Sequence, residues 1–187
     1  VAIKRLPWLI EAFTAIARQR PQAHLVIAGA GPARATVADA SVKSGLSHRI
    51  HLLGWRSDLE TLYTDLDVLA QASAQEGTPL AIIEAFATGC PVVATGVGGV
   101  PDMFTKSPQL ASLHCNEGAL GPPDQQADFA YELLNMLTDQ DRREAAGQAA
   151  QAASQAWQSS HLLDDTAAIY NQLQAARRVR RPSARAS

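Results

Sequence analysis

Val68-Leu69-Ala70-Gln71-Ala72-Ser73-Ala74-Gln75-Glu76-Gly77-Thr78-Pro79-Leu80-Ala81-Ile82-Ile83-Glu84-Ala85-Phe86-Ala87-Thr88-Gly89-Cys90-Pro91-Val92-Val93-Ala94 reads as strand, loop, helix, turn and strand. Val68 to Ala72 is a short apolar run of strand length, and Pro91 to Ala94 is rich in β-branched residues. Between them, Pro79 to Thr88 predicts a helix, with Thr78 placed to cap it, Pro79 suited to its first position and Gly89 to its left-handed close. Two strands joined through a helix pair in parallel, because only a long crossover returns the chain to the same edge.

The same alternation extends toward the N-terminus. Leu6, Leu9, Ile10, Phe13 and Ile16 recur at helical spacing behind Pro7, which predicts a helix over about residues 7 to 19. His24 to Ala28 is an apolar run closed by the turn Gly29-Ala30-Gly31-Pro32. A helix to about Ser44 follows, with Gly45 as its cap; then come a strand from Ile50 to Leu53 ended by Gly54, and a helix through Tyr63. Ser57 and Glu60 have capping-box spacing at the start of that last helix. Beyond Thr95 the pattern changes: apart from a strand near Leu113, Phe129 to Leu137, Arg142 to Ala156 and Leu162 to Leu173 read as helices. The fold class is therefore α/β, a Rossmann-like parallel sheet of about five or six strands with helices on both faces and ligands at the carboxyl ends of the strands.

At 187 residues and 47% hydrophobic, the chain suits one domain, expected over residues 1–176. Residues 177–187, where Arg177, Arg178, Arg180, Arg181 and Arg185 crowd beside Pro182 and Ser183, read as a disordered basic tail. The formal net charge of −2 provides no whole-chain basic field, so no nucleic-acid partner is expected. Cys90 and Cys115 lack the spacing of a redox motif or zinc site, which fits a cytoplasmic protein, and no trio of metal ligands surrounds His48 and His51. There is no apolar run long enough to span a bilayer. Cys90 reads as a small buried hydrophobe, and Trp8 and Trp157 as packing residues.

The chemistry concentrates in the quoted stretch. Gly77 lets backbone approach a ligand, and the amides that follow Pro79 stand unpaired at a positive helix end, where phosphate binds. An ordinary capped helix would need the same residues. Glu84 lies five residues beyond Pro79, or about 7.5 Å along the axis, so it and Glu76 do not form the close carboxylate pair of a retaining glycoside hydrolase. Gly29-Ala30-Gly31 invites a dinucleotide-binding reading, but Arg34 stands where the third glycine would fall, behind Pro32.

Glu76, seven residues, Glu84, then Ala85-Phe86-Ala87-Thr88-Gly89-Cys90-Pro91-Val92-Val93-Ala94-Thr95 and Val97-Gly98-Gly99-Val100-Pro101-Asp102 resemble the signature block of retaining glycosyltransferase family four, also called glycosyltransferase group 1. Lys4-Arg5, Gly29-Ala30-Gly31-Pro32, Leu53-Gly54-Trp55-Arg56 and Pro122-Pro123-Asp124 fall in that family's order. The resemblance implies the C-terminal, nucleotide-sugar-binding half of a two-domain GT-B fold, facing an acceptor domain across a cleft. It implies transfer of a sugar from a nucleoside-diphosphate sugar, with retention, in polysaccharide, glycolipid or glycoconjugate synthesis. By position it makes Glu76 the catalytic acid on the donor sugar and Glu84 the acid on the ribose. It further makes Leu80 and Ala81 the amides on the diphosphate and Lys4 its cation. Gly29, Gly31, Gly77 and Thr78 would shape the donor site, and Gly54, Trp55 and Arg56 with His51 would contact the base. The negative charge of the leaving group would be met by helix amides and Lys4, without a metal or other cofactor.

This sequence departs from the family's pattern in two places. The Gly-Arg-Leu that usually precedes the lysine segment would fall before Val1, and the chain lacks an initial Met; both imply N-terminal truncation and a chain that binds donor without transferring it. Gly77-Thr78-Pro79 replaces the usual Gly-Phe-Gly, removing one amide donor at Pro79. Two other readings stay open: a non-catalytic nucleotide-sugar-binding module, and a GT-B-type nucleotide-sugar epimerase. Expected partners are the donor, the acceptor domain and, for a lipid-linked acceptor, the inner face of the membrane.

Overall fold

The computed structural model describes residues 2–105, 114–157 and 167–171. In chain order the elements are α1 (Leu6–Gln19), β1 (Leu25–Ala28), α2 (Arg34–Lys43), β2 (Ile50–Gly54), α3 (Leu59–Asp65), β3 (Leu69–Gln71), α4 (Leu80–Ala87), β4 (Val92–Thr95), β5 (His114–Cys115), β6 (Gly118–Gly121), α5 (Gln126–Thr138) and α6 (Gln140–Ser154). The α/β alternation read from the sequence is present, but its strands form two ladders rather than one. β1 pairs in parallel with β2, while the second sheet has the order β3-β4-β6-β5. In that sheet β3–β4 and β4–β6 are parallel, and the short β5 runs antiparallel to β6. Between β1 and β3 the winding reverses: the chain leaves β1 toward β2 on one side and leaves β3 toward β4 on the other. Such a reversal is the switch point at which doubly wound sheets open a crevice.

Side chains span the break that backbone hydrogen bonds leave. Leu9, Ile10, Phe13 and Ile16 of α1 are buried in one core with Val37 and Ile50 from the first ladder's side and Ala72, Val93 and Phe129 from the second's. The opposite face buries Ile82 and Phe86 of α4 with Val92, Ala94, Phe104 and Ala150. β4 is covered on both faces, as a central parallel strand must be: Val93 joins one core while Val92 and Ala94 join the other.

The sequence reading missed β6, whose two terminal glycines hide it from any propensity argument. Packing demands the first glycine and crowds the second. A Cβ on Gly118, at φ 151°, would stand 1.8 Å from the Val92 carbonyl oxygen, and one on Gly121 would meet the Phe129 ring at 3.3 Å. Beyond β6, the Glu132 carboxylate is buried and accepts from Arg142 at 2.9 Å, tying α5 to α6, and Asp139 caps α6 by accepting from the Arg142 amide.

Two helix starts differ from expectation. Thr78 caps nothing: α4 begins at Leu80, with Pro79 as the N-cap residue in extended conformation (φ −76°, ψ 105°). A ring-locked φ is compatible with the helix, but the chain turns into helical ψ only one residue later. The capping box of Ser57 and Glu60 is also absent, since α3 starts at Leu59 behind Asp58, whose carboxylate is taken by Arg56. Gly45 and Gly89 do close their helices with left-handed φ of 72° and 75°. The expected tail at 177–187 lies outside the described residues, as do Leu162 and Leu163. Residues 167–171 are helical, with Ile169 and Tyr170 exposed. No helix among the described residues is long and apolar enough to cross a membrane.

Candidate active site

A cleft of about 430 Å³ runs between the facing edges of β1 and β3, lined there by Ile27, Ala28, Leu69 and Ala70, and reaches the carboxyl ends of both strands. Gly29, Gly31, Arg34 and Gly54 line one wall; Lys4, Gln71, Ser73 and Ala81 line the other. The structure thus gathers Lys4, Gly29, Gly31, Gly54 and Ala81 from the residues chosen by sequence. The amides of Leu80 and Ala81 open α4 and have no preceding carbonyl in their own helix. Leu80 itself is largely exposed, as are Gly77 and Thr78.

Glu76 stands beside this cleft with its carboxylate turned to Lys4. Lys4 Nζ donates to Glu76 Oε1 at 2.5 Å, and Gln71 Nε2 donates to the same oxygen at 3.0 Å. Burial pushes the carboxyl upward, but the hydrogen bond and charge of Lys4, with help from the Ser73 and Gln71 side chains, outweigh it and hold Glu76 below its ordinary value of 4.5. Ser73 Oγ is fully buried and makes no contact of ordinary hydrogen-bond geometry, so its support of Glu76 is weaker than that of Lys4.

The segment carrying Lys4 is fastened to the loop it faces. Ala74 N donates to the Ile3 carbonyl at 2.8 Å, Arg5 Nε donates to the Ala72 carbonyl at 2.8 Å, and another Arg5 nitrogen donates to the Pro123 carbonyl at 2.5 Å. Arg5 is the one non-glycine residue among those described with positive φ, 45°. A left-handed arginine costs about 1–2 kcal/mol, and it persists because its side-chain bonds and its stacking over Trp8, 4.5 Å away, fix it there.

Two glycines hold the backbone of the Glu76 loop. Gly99 N donates to the Glu76 carbonyl at 3.3 Å. A Cβ on Gly98, at φ 54°, would lie 1.8 Å from that same oxygen, and one on Gly99 would lie 2.4 Å from the Gly77 carbonyl oxygen. Both glycines were visible within the signature block, but spacing alone did not show what they touch.

Other selected residues are not brought to the cleft wall. Glu84, exposed on α4, accepts from the Tyr63 hydroxyl at 2.9 Å, and burial together with that carboxylate pushes the Tyr63 hydroxyl well above its usual range. Trp55 is 80% exposed, and Arg56 makes a two-point pair with Asp58. His51 lies near the start of β2, where its Nε2 is 2.9 Å from His24 Nδ1. It is three residues, roughly 10 Å, from Gly54 at the strand's other end. The base-contacting group expected around His51, Gly54, Trp55 and Arg56 is therefore represented in the cleft by Gly54 alone.

Gln71, Ser73 and Arg34 belong to the cleft but were not chosen from the sequence. Gln71 and Ser73 sat in what read as strand and loop, and Arg34 was noticed only as the residue that spoils a glycine motif. Cys90 is buried, which pushes its thiol up to about 12 and leaves it inert as a nucleophile at neutral pH. Among the described residues no group of three or more His, Cys, Asp or Glu could hold a metal ion.

The chain belongs to the family described as "Glycosyl transferases group 1", whose model matches residues 1–139. It is 24% identical over 169 residues to the N-acetyl-alpha-D-glucosaminyl L-malate synthase of Bacillus anthracis, covering 90% of this chain and 42% of that protein. It is 34% identical over 143 residues to the D-inositol 3-phosphate glycosyltransferase of Corynebacterium kroppenstedtii, covering 73% of this chain and 30% of that protein. In fold it is similar to Anabaena Alr3699/HepE, solved in complex with UDP, with a TM-score of 0.79 at 23% identity over 92% of this chain and 46% of that one. The chain spans less than half the length of each.

Proposed function

We propose that this chain is the donor-binding half of a retaining glycosyltransferase of GT-B architecture, which moves a sugar from a nucleoside diphosphate to an acceptor held by a facing domain. The observation that carries this reading is the convergence of Lys4, Glu76 and the start of α4 on one cleft at the switch point. As the bond from the sugar carbon to the diphosphate breaks, negative charge grows on the departing oxygen. Preorganised amides and a cation stabilise that charge more than they stabilise the intact donor. Glu76 orients the sugar, the acceptor oxygen bonds to the same carbon, and its proton passes to the departing phosphate. We assign Glu84 to the ribose, no metal to the site, and a lipid-linked or saccharide acceptor to the partner domain. A lipid-linked acceptor would bring the enzyme to the inner face of a membrane.

The helix start provides the test. Leu80 is the first residue of α4 and follows an extended Pro79, so Leu80→Pro removes one amide while keeping the helix geometry. Calorimetric titration of the 187-residue chain with UDP, GDP and ADP should find one nucleoside diphosphate that binds. For that ligand Leu80→Pro should lose about 1–2 kcal/mol, roughly a tenfold change, with little change in melting temperature. Wild-type affinity retained in Leu80→Pro would remove the diphosphate from the α4 start.

A further inference from the structure

Glu84 lies on α4 four residues beyond Leu80, hence on the same stripe of the helix and about 6 Å further along its axis. The ribose of a nucleoside diphosphate is bonded to the diphosphate itself, so a carboxylate one turn on from the opening amides is within reach of its hydroxyls. Yet Glu84 is exposed, and a glutamate on an open helix face rotates about three bonds. Fixing it in one geometry is a cost that binding has to meet, unless the protein has met it already.

Tyr63 of α3 fixes it in advance. Its side chain is buried with Ile82, Ala85, Phe86 and Cys90 in the core beneath α4, so its ring has little freedom. From that base its hydroxyl donates to Glu84 Oε2 at 2.9 Å. Burial and the carboxylate together keep the phenol protonated well above its usual range, so it remains a donor at neutral pH. Only one carboxylate oxygen is taken. Among the described residues no hydrogen bond or ion pair engages Oε1, which leaves it free to accept from a ligand hydroxyl. A buried tyrosine needs some acceptor for its hydroxyl, and that need by itself would produce the same contact. The two roles differ in what they require of the ligand.

We propose that Tyr63 is a positioning residue for nucleotide recognition: it holds the Glu84 carboxylate in the geometry that accepts from the ribose, and so sets a preference of this site for ribonucleotides over deoxyribonucleotides. This rests on the assignment of Glu84 to the ribose in the reading above, and extends it to a residue of α3 that itself touches no ligand.

The test titrates the complete enzyme calorimetrically with whichever of UDP, GDP and ADP wild type binds, and with the 2′-deoxy and 3′-deoxy forms of that nucleotide, with thermal melting alongside. Wild type should bind the ribonucleotide roughly tenfold more tightly than at least one deoxy form, the value of one charge-assisted hydrogen bond. Tyr63→Phe keeps the ring and removes only the hydroxyl. It should weaken the ribonucleotide about three- to tenfold while leaving that deoxy form within about twofold of its wild-type affinity, so that the preference shrinks. A hydroxyl that serves stability alone would lower the melting temperature and leave the preference unchanged; that result overturns the role of Tyr63 and leaves the donor reading in place. A wild type without any preference for the ribonucleotide would overturn the assignment of Glu84 as well, and one that binds none of the three nucleotides would overturn the donor reading with it. If Tyr63→Phe does not fold, a crystal structure of the enzyme with bound nucleotide decides: the Tyr63 hydroxyl and a ribose hydroxyl should donate to the same Glu84 carboxylate, and a Glu84 that leaves Tyr63 to meet the ribose overturns the proposal.

Discussion

Glu76→Gln in the complete enzyme should lower kcat by roughly 10²- to 10³-fold, the scale of losing one preorganised electrostatic group, while nucleoside diphosphate affinity stays level or improves. The carboxylate holds Lys4 at 2.5 Å, so the neutral amide releases the ammonium toward the phosphates at the same time as it stops orienting the sugar. Glu84→Gln should do the reverse. With Glu84 assigned to the ribose, its loss should weaken nucleotide binding by roughly tenfold, the value of one charge-assisted hydrogen bond, and leave turnover at saturation nearly intact. Steady-state kinetics with product-inhibition constants separates the two. Matching losses of affinity in both variants would undo the division of labour.

The pH profile follows from the direction of the Glu76 shift. Its carboxyl is held below 4.5 in the folded protein, so the ion pair with Lys4 is intact above that value and fails only as pH falls through the lowered one. The acid limb of kcat should accordingly lie below the ordinary carboxylate range, and removing Lys4 should move it upward.

Gly98→Ala is expected to be the most damaging single methyl group near the site. The new Cβ would sit 1.8 Å from the Glu76 carbonyl oxygen, a separation no soft side chain can relieve, because the obstacle is backbone. The φ of 54° adds roughly 1–2 kcal/mol of conformational cost for any residue with a Cβ. The Glu76 loop must therefore move, breaking the Gly99 to Glu76 hydrogen bond, and kcat should drop at least as far as in Glu76→Gln. Stability should fall by about 2–4 kcal/mol, read as a lower melting temperature. A variant with wild-type kinetics would show that the loop's placement is immaterial to turnover. Gly45→Ala, at a comparable φ of 72° but with open space around it, is the control that isolates strain from collision.

The parts of the fold legible in the sequence are those written in local periodicity. α1 with Leu9, Ile10, Phe13 and Ile16, the buried run of β4, and the glycine caps at Gly45 and Gly89 all express preferences that a single segment carries by itself. β6 was invisible because its identity is set by a neighbour: Gly118 is glycine to clear the Val92 carbonyl. In the site, Glu76, Lys4 and Ala81 were named by the family resemblance, and the structure brings Lys4 and Ala81 to one cleft with Glu76 beside it. Sequence could not show that the His51 side chain meets His24, the residue just before β1, or that Arg34 lines the crevice.

The position of α1 has a consequence for how damage spreads. Leu9, Ile10, Phe13 and Ile16 interlock with Val37 and Ile50 on the side of the first ladder and with Ala72, Val93 and Phe129 on the side of the second. The helix is a keystone, and a cavity opened in it, as by Phe13→Ala, loosens both ladders together where a cavity beneath one strand would loosen one.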